Sequence, residues 1–402
     1  MAAQLDLLRP LLDPVKTLEK LPPLVSFFSG AGFFDLGLIR AGYQILWSLE
    51  KEPQFCIAHD YGFQSYFEAE QSEQAPPYIN CMEDIQHKGP NAIKREAFGL
   101  SASGDDFGII GGPPCPDFSV GGKNRGQKGD RGRLTRVFVE RICELEPKFF
   151  LFENVKGLIS TGKHREFLFG ELWKLEQKGY AIDYIVLNAL NLGLPQNRER
   201  LFVVGVKRSL IRKLYATNIA KAQRFWFPWP VDARFKDAKT RFPWPGTSPF
   251  GEIPKKPEGI PDELTVGPLV MDQELLSALP NGTEAFEPYS EKFKKIPEGD
   301  DSKKCFKRLH RYRYSPTAAY GNNEVHLHPS LPRRLTVREA LRIQTVPDTF
   351  KLPPDLTLST KFKLIGNGVP VEMARSVGLA LAKFLLGNVS PAVEGSEPNG
   401  HK

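Results

Sequence analysis

Cys115 lies in GGPPCPDFS, residues 111–119, where two glycines and three prolines fix the backbone around a thiol. Prolines and glycines do not build a core, so an inert buried cysteine is a poor reading of Cys115. A thiolate on a rigid turn is a nucleophile. Cys56 and Cys143, in helix-like stretches, fit the inert reading well. Glu153 ends the apolar run FFLF, which would partly desolvate its carboxyl, raise its pKa and suit it to proton donation. The segment QNRER (196–200) aims Arg198 and Arg200 towards the same region. GGKNRGQKGDRGR (121–133) interleaves glycines with Lys123, Arg125 and Arg131, a cationic loop able to close over a phosphate backbone beside the thiol.

A second constellation precedes these residues. An apolar run ends in Ser29-Gly30-Ala31-Gly32 and leads into a helix-like stretch, and Glu50 closes the next run, ILWSLE. Glycines at such a turn let a ligand approach the backbone, and an acid about 20 residues on can hold a ribose hydroxyl pair. A dinucleotide fingerprint needs a third glycine where Asp35 stands. A nucleoside without a pyrophosphate, such as S-adenosylmethionine, is therefore favoured over a nicotinamide cofactor.

These residues must be positioned by alternating elements. Leu24–Phe28, Ile45–Leu49, Phe107–Ile110, Phe149–Phe152, Tyr184–Leu187 and Leu201–Val206 read as strands, with helical spacing between them at Leu134 to Leu145 and Leu168 to Leu175. The pattern predicts a parallel α/β sheet with its site beyond the carboxyl ends of the strands. After about Lys207 the texture changes: residues 225–300 are rich in Pro, Gly and aromatics, an irregular second domain. Order returns at Thr336, where Thr336 and Glu339 match a capping box, and a last helix follows Pro370. Residues 388–402 read as a disordered tail.

Composition bounds the rest. The 402 residues carry 54 Lys+Arg against 47 Asp+Glu, a formal net charge of +7 that suits a polyanionic partner. A hydrophobic share of 41% supplies a core and excludes wholesale disorder. No stretch approaches about 18 uncharged apolar residues, so no membrane span is expected. Asp6 interrupts any leader-like apolar run. Five cysteines without a CxxC pair argue against disulfides and zinc and favour a reducing cytoplasm.

The order of motifs resembles the cytosine-5 DNA methyltransferases over nearly all of residues 24–386. The matching pieces are FFSGAG (27–32), Glu50, MEDI (82–85), GGPPCPDFS (111–119), DRGRL (130–134), FENV (152–155), QNRER (196–200), RRLTVREALRIQTVPDTF (333–350) and IGNGVP (365–370). The resemblance implies an α/β fold: a Rossmann-like S-adenosylmethionine-dependent methyltransferase domain with a smaller, loop-rich target-recognition domain. It implies an N-terminal extension (1–20), a catalytic domain (21–206), a recognition domain (207–332), a C-terminal segment returning to the catalytic domain (333–387) and the tail. Cys115 would attack C6 of a flipped-out cytosine, Glu153 would protonate N3, and Arg200 would hold the O2 edge with Arg198 as support. S-adenosylmethionine would meet Phe28, Gly30, Gly32, Glu50, Asp84, Ile85, Pro114, Leu134, Asn367 and Val369.

The partner implied is double-stranded DNA, read by a monomer at a short sequence shared with a cognate restriction endonuclease. Phosphate contacts are expected from Lys123, Arg125, Arg131, Lys303, Lys304, Lys307, Arg308, Arg311 and Arg313. His326 and His328, without partner ligands, read as loop residues rather than a metal site. Pro116, Phe33 and Lys51 depart from the usual family pattern, in places that bear on DNA contact and adenine packing. Methylation of tRNA and a catalytically silent DNA binder are the alternatives.

Overall fold

The computed structural model describes residues 21–70, 79–99, 106–114, 132–320 and 325–391. Seven strands form one sheet: β1 (Leu24–Phe27), β2 (Ile45–Glu50), β3 (Ile79–Met82), β4 (Gly108–Gly111), β5 (Phe149–Val155), β6 (Tyr180–Asn188) and β7 (Glu199–Lys207), in the order β3-β2-β1-β4-β5-β7-β6. Strands β1 to β5 are parallel to their neighbours among themselves, whereas β7 runs antiparallel to both β5 and β6. The expected all-parallel sheet is corrected at that strand. A short connection through residues 189–198 returns β6 directly into β7 as a hairpin, and hairpin-linked strands must be antiparallel. The apolar run of β7 is equally buried in either direction, so pattern alone carries no sign of it.

Two further differences have local causes. Strand β3 was not expected, because as an edge strand it is largely open to solvent and lacks an apolar run. Strand β6 begins four residues earlier than its apolar pattern predicts, since the buried Asp183 interrupts the run. Asp183 accepts from the backbone N–H of Phe225 at 3.1 Å and of Phe227 at 3.1 Å, and from Trp229 Nε1 at 3.2 Å. Those bonds pull residues 224–229 against the sheet.

Helices α1 (Phe33–Arg40), α2 (Pro53–Ala69), α3 (Pro90–Phe98), α4 (Arg133–Leu145) and α5 (Gly162–Gln177) cover the sheet, and α6 (Arg208–Tyr215) follows β7. One face packs Phe138, Ile142, Leu168 and Leu172 beneath α4 and α5. The other packs α1 against the C-terminal helix, with Ile211, Trp226 and Phe227 in the same cluster. Residues 208–229 therefore share the core of the sheet, which moves the edge of the second domain later than residue 207. Trp226 is fully buried, its ring 5.6 Å from that of Phe384.

Beyond residue 229 the chain is irregular, with short helical turns. Its small two-stranded unit pairs β8 (Lys307–Arg308) with β9 (His326–Leu327). Three helices then return: α7 (Val337–Ile343), α8 (Leu358–Asn367) and α9 (Val371–Leu385). Thr336 and Glu339 do form the capping box of α7. Helix α9 docks on α1, where Arg40 pairs with Glu372 and Arg375 Nε donates to the Arg40 carbonyl at 3.2 Å.

Of the two histidines expected in a loop, His328 lies just past a strand and His326 within one. His326 lies in β9, and both rings are buried. His328 Nδ1 accepts from Ser330 N–H at 3.2 Å and Leu331 N–H at 3.1 Å, so Nε2 carries the proton and donates to the Val270 carbonyl at 2.9 Å. Among the described residues, no group of three His, Cys, Asp or Glu could hold a metal ion, and no helix is long and apolar enough to cross a membrane.

These neutral histidines predict acid sensitivity. Burial pushes the His326 ring down to about 3 and the His328 ring down to about 4. The unfolded chain binds protons near the ordinary value of about 6.5 that the fold refuses, so stability is present above that pH and lost below it. Urea midpoints should fall steadily between about pH 6.5 and pH 4, and the fall should be shallower in His328→Gln. A flat midpoint across that window would contradict the neutral, buried assignment.

Candidate active site

The carboxyl ends of β1 and β4 are neighbours, Phe27 standing opposite Gly111, although β2 and β3 intervene in sequence. This is the switch point of an open α/β sheet, where a crevice must form. The turns after β1, β2, β4 and β5, and the start of the antiparallel β7, all open onto it.

The turn after β1 carries the first group of predicted residues. Phe28 has φ +58°, a conformation that a bulky side chain adopts only under constraint. Its ring is half-buried, edge-on to Phe138 at 6.2 Å. Gly30 and Gly32 have φ +58° and +81°, and a Cβ on Gly30 would meet nothing within 4 Å, so open space lies beside it. Phe33, where a further glycine is frequent, packs 5.8 Å from the Phe350 ring and serves the core instead.

Glu50 reaches back under this turn. Its Oε2 accepts from Gly30 N–H at 3.1 Å, while Oε1 accepts from Lys51 N–H at 2.8 Å and Glu52 N–H at 3.0 Å. Burial raises its pKa, and the three backbone donors work against that rise. A fixed carboxylate at the edge of a glycine turn is suited to accept a ribose hydroxyl pair. The Ser29 hydroxyl on the same turn is buried and has no hydrogen-bond partner among the described residues. An open glycine cradle, an oriented acid and an orphaned buried hydroxyl together fit a bound adenosyl nucleoside.

The remaining predicted cofactor residues are placed unevenly. Asp84 is half-buried in the turn after β3, with Oδ1 accepting from Gln86 N–H at 3.0 Å. Ile85 sends its side chain into the core, so only its backbone can face the crevice. Pro114 is exposed at the end of β4 and Leu134 is half-buried on α4. Asn367 is exposed at the end of α8 and Val369 is buried; between them Gly368 lies so close to Phe33 that a Cβ would sit 2.3 Å from its ring. The C-terminal segment therefore does reach the β1 turn.

At β5 and β7 the chemistry-bearing groups meet. The register sets Glu153 opposite Phe202 and Val155 opposite Arg200, which makes Glu153 and Arg200 diagonal neighbours on one face. Arg200 Nε lies 3.0 Å from Glu153 Oε1, both side chains nearly buried. Burial raises the Glu153 carboxyl above the ordinary range, and Arg200 and then Arg198 pull it back in part. Gly112 allows this arrangement, because a Cβ there would sit 3.0 Å from Glu153 Oε2. Asn154, to which the sequence reading gave no role, takes Val155 N–H on Oδ1 at 2.9 Å and donates from Nδ2 to the Pro113 carbonyl at 3.0 Å. It thus staples the end of β5 to the loop that enters Cys115. Cys115 itself, with Lys123, Arg125 and Arg131, lies outside the described residues.

Arg198 differs from its expected part as a support at the base. It is fully buried, and its guanidinium donates to the carbonyls of Ala318 at 2.8 Å, Gly366 at 2.9 Å and Gly368 at 2.8 Å. With all three bonds pointing into the protein it cannot touch a ligand in the crevice. Gln196 completes the joint, donating to Ile343 O at 3.1 Å and Gln344 Oε1 at 2.9 Å while accepting from Ala318 N–H at 3.1 Å.

One of the expected phosphate contacts also changes. Arg308 is buried and donates to four carbonyls, those of Phe293, Ile296, His328 and Leu331. Such a guanidinium is structural and is withdrawn from any phosphate. Arg311 pairs with the buried Glu298 at 2.8 Å and Arg313 with Asp301 at 2.8 Å. Lys303 and Lys304 are exposed, and Lys307 is half-buried. Lys163 and Arg165 at the start of α5, which sequence reasoning passed over, are also exposed. Their only sequence signal is a run of polar residues after ENV.

Known proteins resemble the chain over most of its length. The chain is 41% identical over 373 residues to the Type II methyltransferase M.NmeDI of Neisseria meningitidis serogroup C, covering 90% of this chain and 84% of that one. It is 30% identical over 386 residues to the Type II methyltransferase M.XorII of Xanthomonas oryzae pv. oryzae, again covering 90% and 84%. A crystal structure of a prophage-encoded E. coli protein, described as a DNA modification methyltransferase, superposes with a TM-score of 0.57 at 25% identity, covering 90% of this chain and 99% of that one. Residues 23–383 match the family described as C-5 cytosine-specific DNA methylase. With nearly the whole chain matched and the acid and arginine of the crevice in register, the protein belongs to the C-5 cytosine-specific DNA methylases.

Proposed function

We propose that this DNA cytosine-5 methyltransferase modifies one cytosine, flipped out of a short specific duplex sequence, through a covalent bond between Cys115 and C6, and so protects DNA from a cognate restriction endonuclease. The observation that carries the reading is the Glu153–Arg200 pair at 3.0 Å beside the loop that leads to Cys115. S-adenosylmethionine, when bound on the Gly30–Gly32 turn with its ribose at Glu50, supplies an electrophilic methyl group.

The chain's own residues make C5 able to accept that group. Carbon 5 of cytosine is a weak nucleophile until aromaticity is broken. The Cys115 thiolate forms a bond to C6, and the displaced ring electrons are stabilised when N3 takes a proton from the Glu153 carboxyl. A carboxyl whose pKa is raised by burial holds that proton nearer neutrality than an ordinary glutamate would. Arg200 fixes the orientation of Glu153 and presents a cation to the pyrimidine O2 edge. A base then takes the C5 proton, the Cys115–C6 bond breaks with its electrons returning to sulfur, and N3 gives its proton back to the Glu153 carboxylate. None of these atoms can be reached inside a stacked duplex, which is why flipping is required.

Incubating the protein with S-adenosylmethionine and a plasmid of varied sequence, then mapping protected cytosines by bisulfite sequencing, tests the whole reading. Protection confined to one short recurring sequence is expected, and Cys115→Ala should abolish it while S-adenosylhomocysteine still binds. Methylation of tRNA with none of duplex DNA would overturn the substrate. Glu153→Gln keeps the shape but not the proton, so kcat should fall by roughly 100-fold or more with little change in DNA affinity. Asn154→Ala frees the Pro113 carbonyl; kcat should fall about tenfold or more at unchanged S-adenosylhomocysteine affinity, because a loosened thiol is no longer held in its attack geometry.

A further inference from the structure

Directly beneath the β1 turn lies a chain of buried polar groups with no part in the chemistry above. Asp35 in the first turn of α1 and His59 in the middle of α2 are each 1% exposed. The Ser26 hydroxyl on β1 donates to Asp35 Oδ1 at 2.7 Å, and His59 Nε2 stands 3.3 Å from Asp35 Oδ2. On the opposite side of the ring, at the surface, Nδ1 stands 3.7 Å from Oδ1 of the exposed Asp60, an ion-pair contact rather than a hydrogen bond, and Asp60 accepts from Asn80 Nδ2 of β3 at 2.8 Å. A neutral imidazole has one N–H and satisfies one carboxylate, whereas an imidazolium satisfies both. Burial opposes a charged ring, but Asp35 and Asp60 together outweigh it and lift the pKa above the ordinary histidine value.

The ring also touches the cofactor turn. Gly32 caps α1, and a Cβ there would lie 2.7 Å from His59 Cδ2 and 3.0 Å from Nε2. Phe63 holds the ring from one side, centroids 4.5 Å apart. Helix α2 is itself fastened to the ribose acid: Glu52 N–H donates to the Glu50 carboxylate at 3.0 Å, and the Cys56 thiol donates to the Glu50 carbonyl at 3.2 Å. His59 therefore joins the helix behind the glycine turn to the helix behind Glu50.

We propose that His59, clamped as an imidazolium between Asp35 and Asp60, is a positioning residue that holds the Gly30–Gly32 turn and Glu50 in register for the S-adenosyl cofactor. The inference rests on the cofactor reading given above. Among the described residues, the charged groups facing the ring are Asp35 from α1 and Asp60 from its own helix; β1 and β3 contribute the neutral Ser26 and Asn80 behind them. The clamp is complete while the ring is protonated and is lost as pH rises through the folded-state pKa. Cofactor affinity should follow the same course.

The test is calorimetric binding of S-adenosylhomocysteine to the full-length protein and to His59→Gln, from about pH 6 to about pH 9.5, with the ring's titration followed by NMR and thermal midpoints taken at each pH. Wild-type affinity should weaken about fivefold or more as the ring loses its proton. His59→Gln should bind more weakly at pH 6 and lack that step, keeping only the slope from the ligand's own amine. A folded His59→Gln with the wild-type profile would overturn the proposal. If that variant does not fold, the wild-type decides alone: affinity constant across the pH at which the ring deprotonates overturns it. Wild-type protein that binds at no pH would instead overturn the cofactor reading.

Discussion

Three carbonyls from two distant segments converge on the buried guanidinium of Arg198, those of Ala318, Gly366 and Gly368. A buried guanidinium is costly unless its donors are met, and these carbonyls serve the two terminal nitrogens, so the fold holds both segments at the start of β7. Meeting that demand fixes several things together. It sets the path of residues 315–318, the return of the C-terminal segment beside Phe33, and the place of Arg200 two residues along the strand. Gln196 and Gln344 reinforce the joint with neutral hydrogen bonds. The crevice is thus closed by side chains that never enter it.

Within the crevice the balance is electrostatic. Glu153 and Arg200 are both nearly dry, and each would be unfavourable there alone. Burial raises the Glu153 carboxyl above a surface glutamate, and the charge of Arg200 pulls it back in part. The antiparallel direction of β7 makes this pairing possible. Run the other way, the strand would deliver Arg200 to the opposite edge of the sheet, away from every loop that carries a functional residue.

The described parts of the crevice were legible in local signals: an acid ending an apolar run at Glu153, and a glycine turn followed by Glu50. Most strands were legible for the same reason. What escaped were properties set by partners far away in the chain. Arg308 sits among lysines and arginines and reads as a phosphate contact, yet carbonyls from residues 293, 296, 328 and 331 enclose it. Arg198 and Arg200 have equal standing in QNRER, and only the fold separates the structural one from the one in the crevice. Asp183 broke an apolar run for a reason that lies at residues 224–229. The burial of His326 and His328 likewise depends on packing that local spacing does not encode.

The docking of α9 on α1 bears on synthesis. Arg40 and Glu372 are 332 residues apart in sequence, so at roughly 5–20 residues per second the first helix waits on the order of tens of seconds for its partner to emerge from the ribosome. Until then Leu38 and its neighbours are without the helix that covers them, and the β1 turn lacks the segment around Gly368. The seven strands of the sheet are synthesised before that segment, so the crevice cannot be completed until it emerges. Methylating competence therefore arrives late and all at once, and the exposed face of α1 is where a chaperone would find the unfinished protein.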